Sequence, residues 1–297
     1  IITRGGKRMF GEAAVVTGSV AQVPNDVAET LGIEVLPLII SVNGEEFRDQ
    51  VTISAGQLYR KMRTEQLIVK TAAPTVGEYY EAFKRLMEKG IRQIVCIPLS
   101  QNLSSDYSAA LNAANIFITD YPDVKVSVID CRRVAVPQGL LCIEAAQKLK
   151  DGASFDEVVD YCNKEWRKTG LFAAVETLKY LAKGGRIGKA ASLLGSSLHI
   201  MPVLSVVNDE GIAAPAAVLR RKDKIISTLI SLVKKYTDGF KKIRLGVTHA
   251  DNLEGAEALQ EALLKEFPGS EIQISDLTPV MGAHAGPGLI GVGYLYE

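Results

Sequence analysis

The strongest constraint in this sequence is an order that repeats. A short, almost unbroken apolar run is followed by a turn of small or polar residues, and then by a stretch with helical spacing. The apolar runs are residues 13–16, 35–42, 91–99 and 124–130. Runs this continuous suit strands buried on both faces, as in a parallel sheet. The spacing predicts helices over residues 24–31, 77–89, 107–118, 136–150 and 155–169, and another starting at Ser54 with Leu58 and Met62 on one face. Gly32 and Gly90 follow two of them as stops, and Asn43-Gly44 is a turn signal. Strand–helix alternation implies a parallel sheet covered by helices. Its ligand belongs at the C-terminal strand ends, here the polar loops 17–19, 100–105 and 130–133.

After Leu171 the pattern changes. Short strands over 201–207, 211–218, 243–248 and 272–277 mix with helices over 222–236 and 253–267, and Asp209-Glu210-Gly211 reads as a hairpin turn. The expectation is therefore an α/β chain of two domains. Residues 12–169 form a three-layer α/β/α domain with a mainly parallel sheet, and residues 170–297 a two-layer α+β domain with a mixed sheet.

Composition excludes several function classes. The net charge is zero and the basic residues are scattered, so nucleic acid, which needs a concentrated basic face, is not expected as a partner. No apolar run approaches the roughly 18 residues that cross a bilayer, and Ile1 to Gly18 lacks the apolar core of a secretory signal. Residues 1–10, with Arg4, Lys7, Arg8 and two glycines, read as an expression remnant or a frayed end. Cys96, Cys131, Cys142 and Cys162 form no CxxC pair, and no histidine stands at metal-ligand spacing from them. Buried thiols in a reducing cytoplasm are the expectation, with no metal and no cofactor.

Four clusters of small and polar residues stand out: 71–75 (Thr71-Ala72-Ala73-Pro74-Thr75), 100–105 (Ser100-Gln101-Asn102-Leu103-Ser104-Ser105), 183–188 (Lys183-Gly184-Gly185-Arg186-Ile187-Gly188) and 282–288 (Gly282-Ala283-His284-Ala285-Gly286-Pro287-Gly288). Together with Val15-Val16-Thr17-Gly18-Ser19, Val128-Ile129-Asp130 and Pro202-Val203-Leu204, they resemble, in order and spacing, the signatures of the DegV family of bacterial lipid-binding proteins. The most specific block is Leu178-Lys179-Tyr180-Leu181 leading into Gly184-Gly185-Arg186-Ile187-Gly188. The resemblance implies one long-chain fatty acid held in a tunnel between two domains. It also implies a carrier rather than a catalyst, able to present the acid to a separate fatty acid kinase. Thr71 and Ser100 match the hydroxyl positions that hold the carboxylate, Gln101 is counted with them as ligand-binding, and His284 matches the histidine near the head group. Arg186, Arg220 and Arg221 match basic positions linked to partner docking.

The sequence departs from the family pattern where head-group donors are expected. Gly18 stands for an aspartate, Ala72 and Ala73 for a serine and a glutamine, and Ala283 and Ala285 for threonines. Gln101, Asn102 and Asp106 stand for a serine, a glycine and a threonine. An Asp106 pointing inward would repel a carboxylate, so altered head-group contacts or a less anionic lipid are both open. Residue by residue, plainer roles stand beside these. Ser100 could cap the helix that follows, Thr71 could be a turn residue, and Arg186 could sit on the surface after a helix stop. Arg220 and Arg221 could belong to a solvated face, and His199 and His249 read as structural. The alternative function is a hydrolase or phosphotransferase using Ser100 and His284. Ser100 has no G-x-S-x-G setting, and 184–188 lacks the Lys-Ser/Thr ending of a phosphate loop.

Overall fold

The computed structural model describes residues 12–195, 200–240 and 242–297; residues 1–10 and His199 lie outside them. The first half of the chain runs β1 (Ala13–Gly18), α1 (Asn25–Leu31), β2 (Glu34–Leu36), β3 (Ile39–Val42), β4 (Glu45–Arg48), α2 (Ala55–Thr64), β5 (Val69–Ala72), α3 (Val76–Glu88), β6 (Gln93–Ile97), α4 (Asp106–Asp120), β7 (Lys125–Val128), α5 (Val136–Lys150) and α6 (Phe155–Glu165). Three of these helices start on reciprocal caps, Ser54 with Gln57, Thr75 with Glu78 and Ser154 with Glu157. Each cap satisfies orphan N–H groups on both sides of the helix start.

Strands β2, β1, β6 and β7 form, in that order, an all-parallel sheet. Tyr79, Phe83 and Phe117 bring α3 and α4 onto one face, and Leu141, Val158 and Trp166 bring α5 and the α6 segment onto the other. The three-layer arrangement expected from the alternation is present. The run 35–42 is not one strand, however. Pro37 has no N–H to continue a ladder, and the chain leaves the parallel sheet after Leu36. It re-enters as β3, which pairs antiparallel with β4 and β5 in a separate three-stranded sheet. Asn43 (φ 52°) and Gly44 (φ 93°) make the β3–β4 hairpin turn, both with the positive φ that such turns require.

The second half runs β8 (Thr169–Ala174), α7 (Lys179–Lys183), β9 (Met201–Val206), β10 (Ala214–Leu219), α8 (Ile225–Thr237), β11 (Ile243–His249), α9 (Leu253–Glu266), β12 (Ile272–Asp276), α10 (Pro279–Ala285) and β13 (Ile290–Tyr296). Its six strands form one mixed sheet, ordered β10-β9-β8-β13-β11-β12, in which β11 and β12 pair in parallel and the other neighbours antiparallel. The central strands β8 and β13 are absent from the sequence reading, and so is α10. Strand alternation divides the residues of this sheet. Phe172, Ala174, Val203 and Val292 join the cluster beneath α8 and α9, while Leu171, Ala173, Leu204 and Val206 face the other half of the molecule. On that inner side, Gly246 and Gly293 leave room for Val136, so α5 packs directly on β11 and β13. His249 is buried in β11.

Candidate functional site: a cavity between the two halves

Between the halves lies a cavity with about 970 Å³ of empty space, part of it open to solvent. One wall is the inner face of the six-stranded sheet, through Leu171, Ala173, Leu204 and Val206. Opposite stand Val20, Leu99 and Val134, which follow the ends of β1, β6 and β7, so this cavity lies beyond the C-terminal ends of the parallel strands. Leu38 and the end of β5 form a third side, and Val280, Met281 and Ala285 of α10 a fourth. Ser205 also borders the space, but its position in β9 shares a face with Val203, away from the cavity.

Five further polar residues line it: Thr71, Ser104, Ser105, Arg186 and His284. Two geometric links draw them together. Thr71 Oγ1 and His284 Nε2 are 2.8 Å apart and hydrogen bonded. The Arg186 guanidinium donates to the carbonyls of Leu103 (3.0 Å) and Gly184 (2.6 Å), which lays it beside the 103–105 loop. Among the described residues, Arg186 is the one lining residue with a permanent charge. Ser105 is the N-cap residue of α4 yet makes no side-chain cap bond, and Ser104 Oγ accepts the Asp106 N–H at 3.2 Å. Hydroxyl donors and a helix start therefore meet the guanidinium in one place, a combination that favours an anionic oxygen.

His284 sits in the last turn of α10 rather than in an irregular loop. Burial, and secondarily the Arg186 charge, push its imidazole down to about 4, so it is neutral at pH 7. Its buried Nδ1 has no hydrogen-bond partner among the described residues. That nitrogen abuts Gly184, where a β-carbon would overlap it. The direction of the Thr71–His284 bond follows the imidazole tautomer: with the proton on Nε2 the ring donates and the Thr71 hydroxyl is left to donate onward, whereas with the proton on Nδ1 the ring accepts from Thr71.

The other residues singled out in the sequence are placed differently. Ser100 is fully buried, but it is not part of the lining. The β9–β10 turn covers it, with Gly211 so close that a β-carbon there would meet Ser100 Oγ. Neither is Ser100 the helix cap; that position is Ser105. Gln101 is exposed, and its N–H donates to Asp130 at 3.2 Å. Arg220 and Arg221 lie exposed after β10, with Arg221 paired to Asp223. Asp106 points away from the cavity, accepting from the Tyr79 hydroxyl (2.7 Å) and the Leu99 N–H (3.2 Å). It occupies the space beside Gly18, where a β-carbon would lie 3.4 Å from its Oδ2. Two departures from the family pattern thus share one place. The hydroxyls that sequence reasoning missed, Ser104 and Ser105, belong to the same polar cluster as Ser100.

The family model described as "Uncharacterised protein, DegV family" matches residues 12–297. The chain belongs to the DegV family. A DegV domain-containing protein of Halalkalibacterium halodurans is 30% identical over 284 residues, covering 96% of this chain and 98% of that protein. Another from Clostridium acetobutylicum is 31% identical over 283 residues, covering 95% and 97%. Among solved structures, a fatty-acid-binding DegV family protein from Thermus thermophilus superposes with a TM-score of 0.89 at 26% identity, over 96% of this chain and 99% of that one. A stearic-acid-binding protein from Eubacterium ventriosum gives 0.84 at 26% identity, over 95% and 97%.

In this DegV member, no group of three or more His, Cys, Asp or Glu residues suited to a metal occurs among the described residues, and no described helix is long and apolar enough to cross a membrane. The Ser100–His284 pair on which a hydrolase would run is not formed, because the His284 Nε2 faces Thr71.

Proposed function

We propose that the protein binds one long-chain fatty acid in the cavity between two domains and acts as a non-catalytic carrier. The observation that carries this reading is the one-sided polarity of the cavity. Thr71, Ser104, Ser105, Arg186 and His284 supply its polar groups, and the sheet face supplies aliphatic wall. An acyl tail of roughly 15 methylenes gains on the order of 12 kcal/mol on leaving water, before the losses of binding. The tail therefore supplies most of the affinity, and the head group fixes orientation. The carboxylate is seated by Thr71, Ser104 and Ser105 hydroxyls next to Arg186, with His284 setting the Thr71 proton. A permanent cation in the lining, with Asp106 turned away, favours a fatty acid over a less anionic lipid. The Thermus and Eubacterium proteins, described as binding fatty acid and stearic acid, support the same ligand class.

The carrier reading extends to a partner. A carboxylate held among the polar lining residues could be handed to a separate fatty acid kinase, with the exposed Arg220 and Arg221 as docking positions. Four buried free thiols accord with a reducing, cytoplasmic setting. Native mass spectrometry of gently purified protein, followed by organic extraction, tests the reading. The expected result is one fatty acid per chain, retained poorly by Thr71→Ala. A clean ligand-free mass, together with no uptake of added palmitate, would overturn it.

A further inference from the structure

We infer that Asp49 is a positioning residue, whose buried carboxylate holds α10 so that His284 meets Thr71 at the polar end of the cavity. Asp49 is 1% exposed and carries a carboxylate with no cationic partner among the described residues. Such a group stays in a core only when hydrogen bonds replace its water. Here they come from two distant parts of the chain. The Ser19 hydroxyl donates to Oδ2 at 2.6 Å, and the Val280 N–H donates to Oδ1 at 2.9 Å. Ser19 follows β1 and also accepts the Leu38 N–H at 3.1 Å, while Val280 is in the first turn of α10. Leu38 and Val280 both line the cavity.

The carboxylate is itself fixed. The Asp49 N–H donates to the Leu38 carbonyl at 2.9 Å, and the turn after it is tight, with Gln50 at φ 62° and the Val51 and Thr52 N–H groups both on the Arg48 carbonyl. Helix α10 is only seven residues long, so its N-terminal anchor lies little more than one turn from His284. Loss of that anchor moves the imidazole relative to Thr71 while leaving both main sheets intact.

The ligand arm of the test rests on the fatty-acid reading; a second arm does not. In the full chain, Asp49→Asn keeps the side-chain shape and removes the charge. Dissociation constants for palmitate and methyl palmitate are compared with those of the unaltered protein. The expected result is palmitate binding weakened about tenfold, the scale of one hydrogen bond to a charged group, with methyl palmitate unchanged. Ser19→Ala, which removes one donor, gives a smaller loss in the same direction. Equal weakening of acid and ester, or no change in either, would overturn the positioning role. The second arm is the His284 titration followed by NMR in ligand-free protein. Asp49→Asn is expected to raise it from about 4 toward the ordinary 6.5 as the ring loosens toward water; an unmoved titration would overturn the inference. If the unaltered protein binds neither palmitate nor its ester, the fatty-acid reading falls and the NMR arm alone decides the role of Asp49.

Discussion

His284 Nδ1 and the Asp106 carboxylate are two buried polar groups with opposite debts to water. The fold holds the His284 imidazole down at about 4 from 6.5, so unfolding takes up a proton between those values and acid there destabilises the fold. Burial, the largest influence on Asp106, pushes its carboxyl up from 3.8 to about 6, against the opposing hydrogen bonds of Tyr79 and Leu99. Unfolding then releases a proton between about 6 and 3.8, and acid in that window favours the fold. In the unaltered protein the two slopes oppose. Relative to it, ligand-free Asp106→Asn should lose stability as pH falls from 6 toward 4, and His284→Gln should gain, each by about 1–2 kcal/mol. Denaturant melts across that range check both signs, and parallel curves for the three proteins would refute the assignment. The hydroxyl positions show where sequence reasoning stopped at this scale. Ser100 and Ser104 look alike in a polar loop. What separates them is Gly211, more than a hundred residues away, which covers Ser100 and leaves Ser104 on the cavity.

At the scale of elements, the first half was legible because its signals are local. Helical spacing and continuous apolar runs place α3, α5, β1 and β6 within a few residues. The second half hid its centre. Strand β13 carries Gly291 and Gly293, which lower strand propensity. Their reason is tertiary: Gly291 packs against Ala173, and Gly293 against Val136 and Pro137. Helix α10 is hidden in the sequence because the small residues around His284 resemble a Gly-Pro turn; the Met281 N–H donating to the Thr278 hydroxyl caps it as a helix. The inner faces of β8 and β9 make a specific demand on the ligand. Ala173 is the smallest residue of that wall. Ala173→Leu should fill part of the space and shift bound acids toward shorter chains, while raising the stability of the empty protein. Lipid profiling of extracts from the two proteins, beside their melting temperatures, tests this; an unchanged chain-length profile would place the tail elsewhere.

At the scale of the whole molecule, one buried cation ties the halves. Arg133 is 1% exposed, lies with its guanidinium 4.9 Å from the Trp166 ring centroid, and donates to the carbonyls of Arg132, Thr169, Val207 and Asn208. It thereby links the loop after β7 to the start of β8 and to the turn after β9. Arg133→Met retains the apolar contact and strands those carbonyls, so unfolding free energy should fall by about 3 kcal/mol. A guanidinium chloride titration with an unshifted midpoint would show that water replaces the lost bonds.

The cavity wall itself is drawn from residues as far apart as Val20 and Leu289. Pairings between such remote segments form slowly, after the local helices and hairpins are in place. The cavity is therefore not complete until the chain as far as Leu289 has folded onto the rest. Without the chain beyond Thr278 the cavity would lack Val280, Met281, His284, Ala285 and Leu289, and its apolar wall would be an open oily trough prone to clumping.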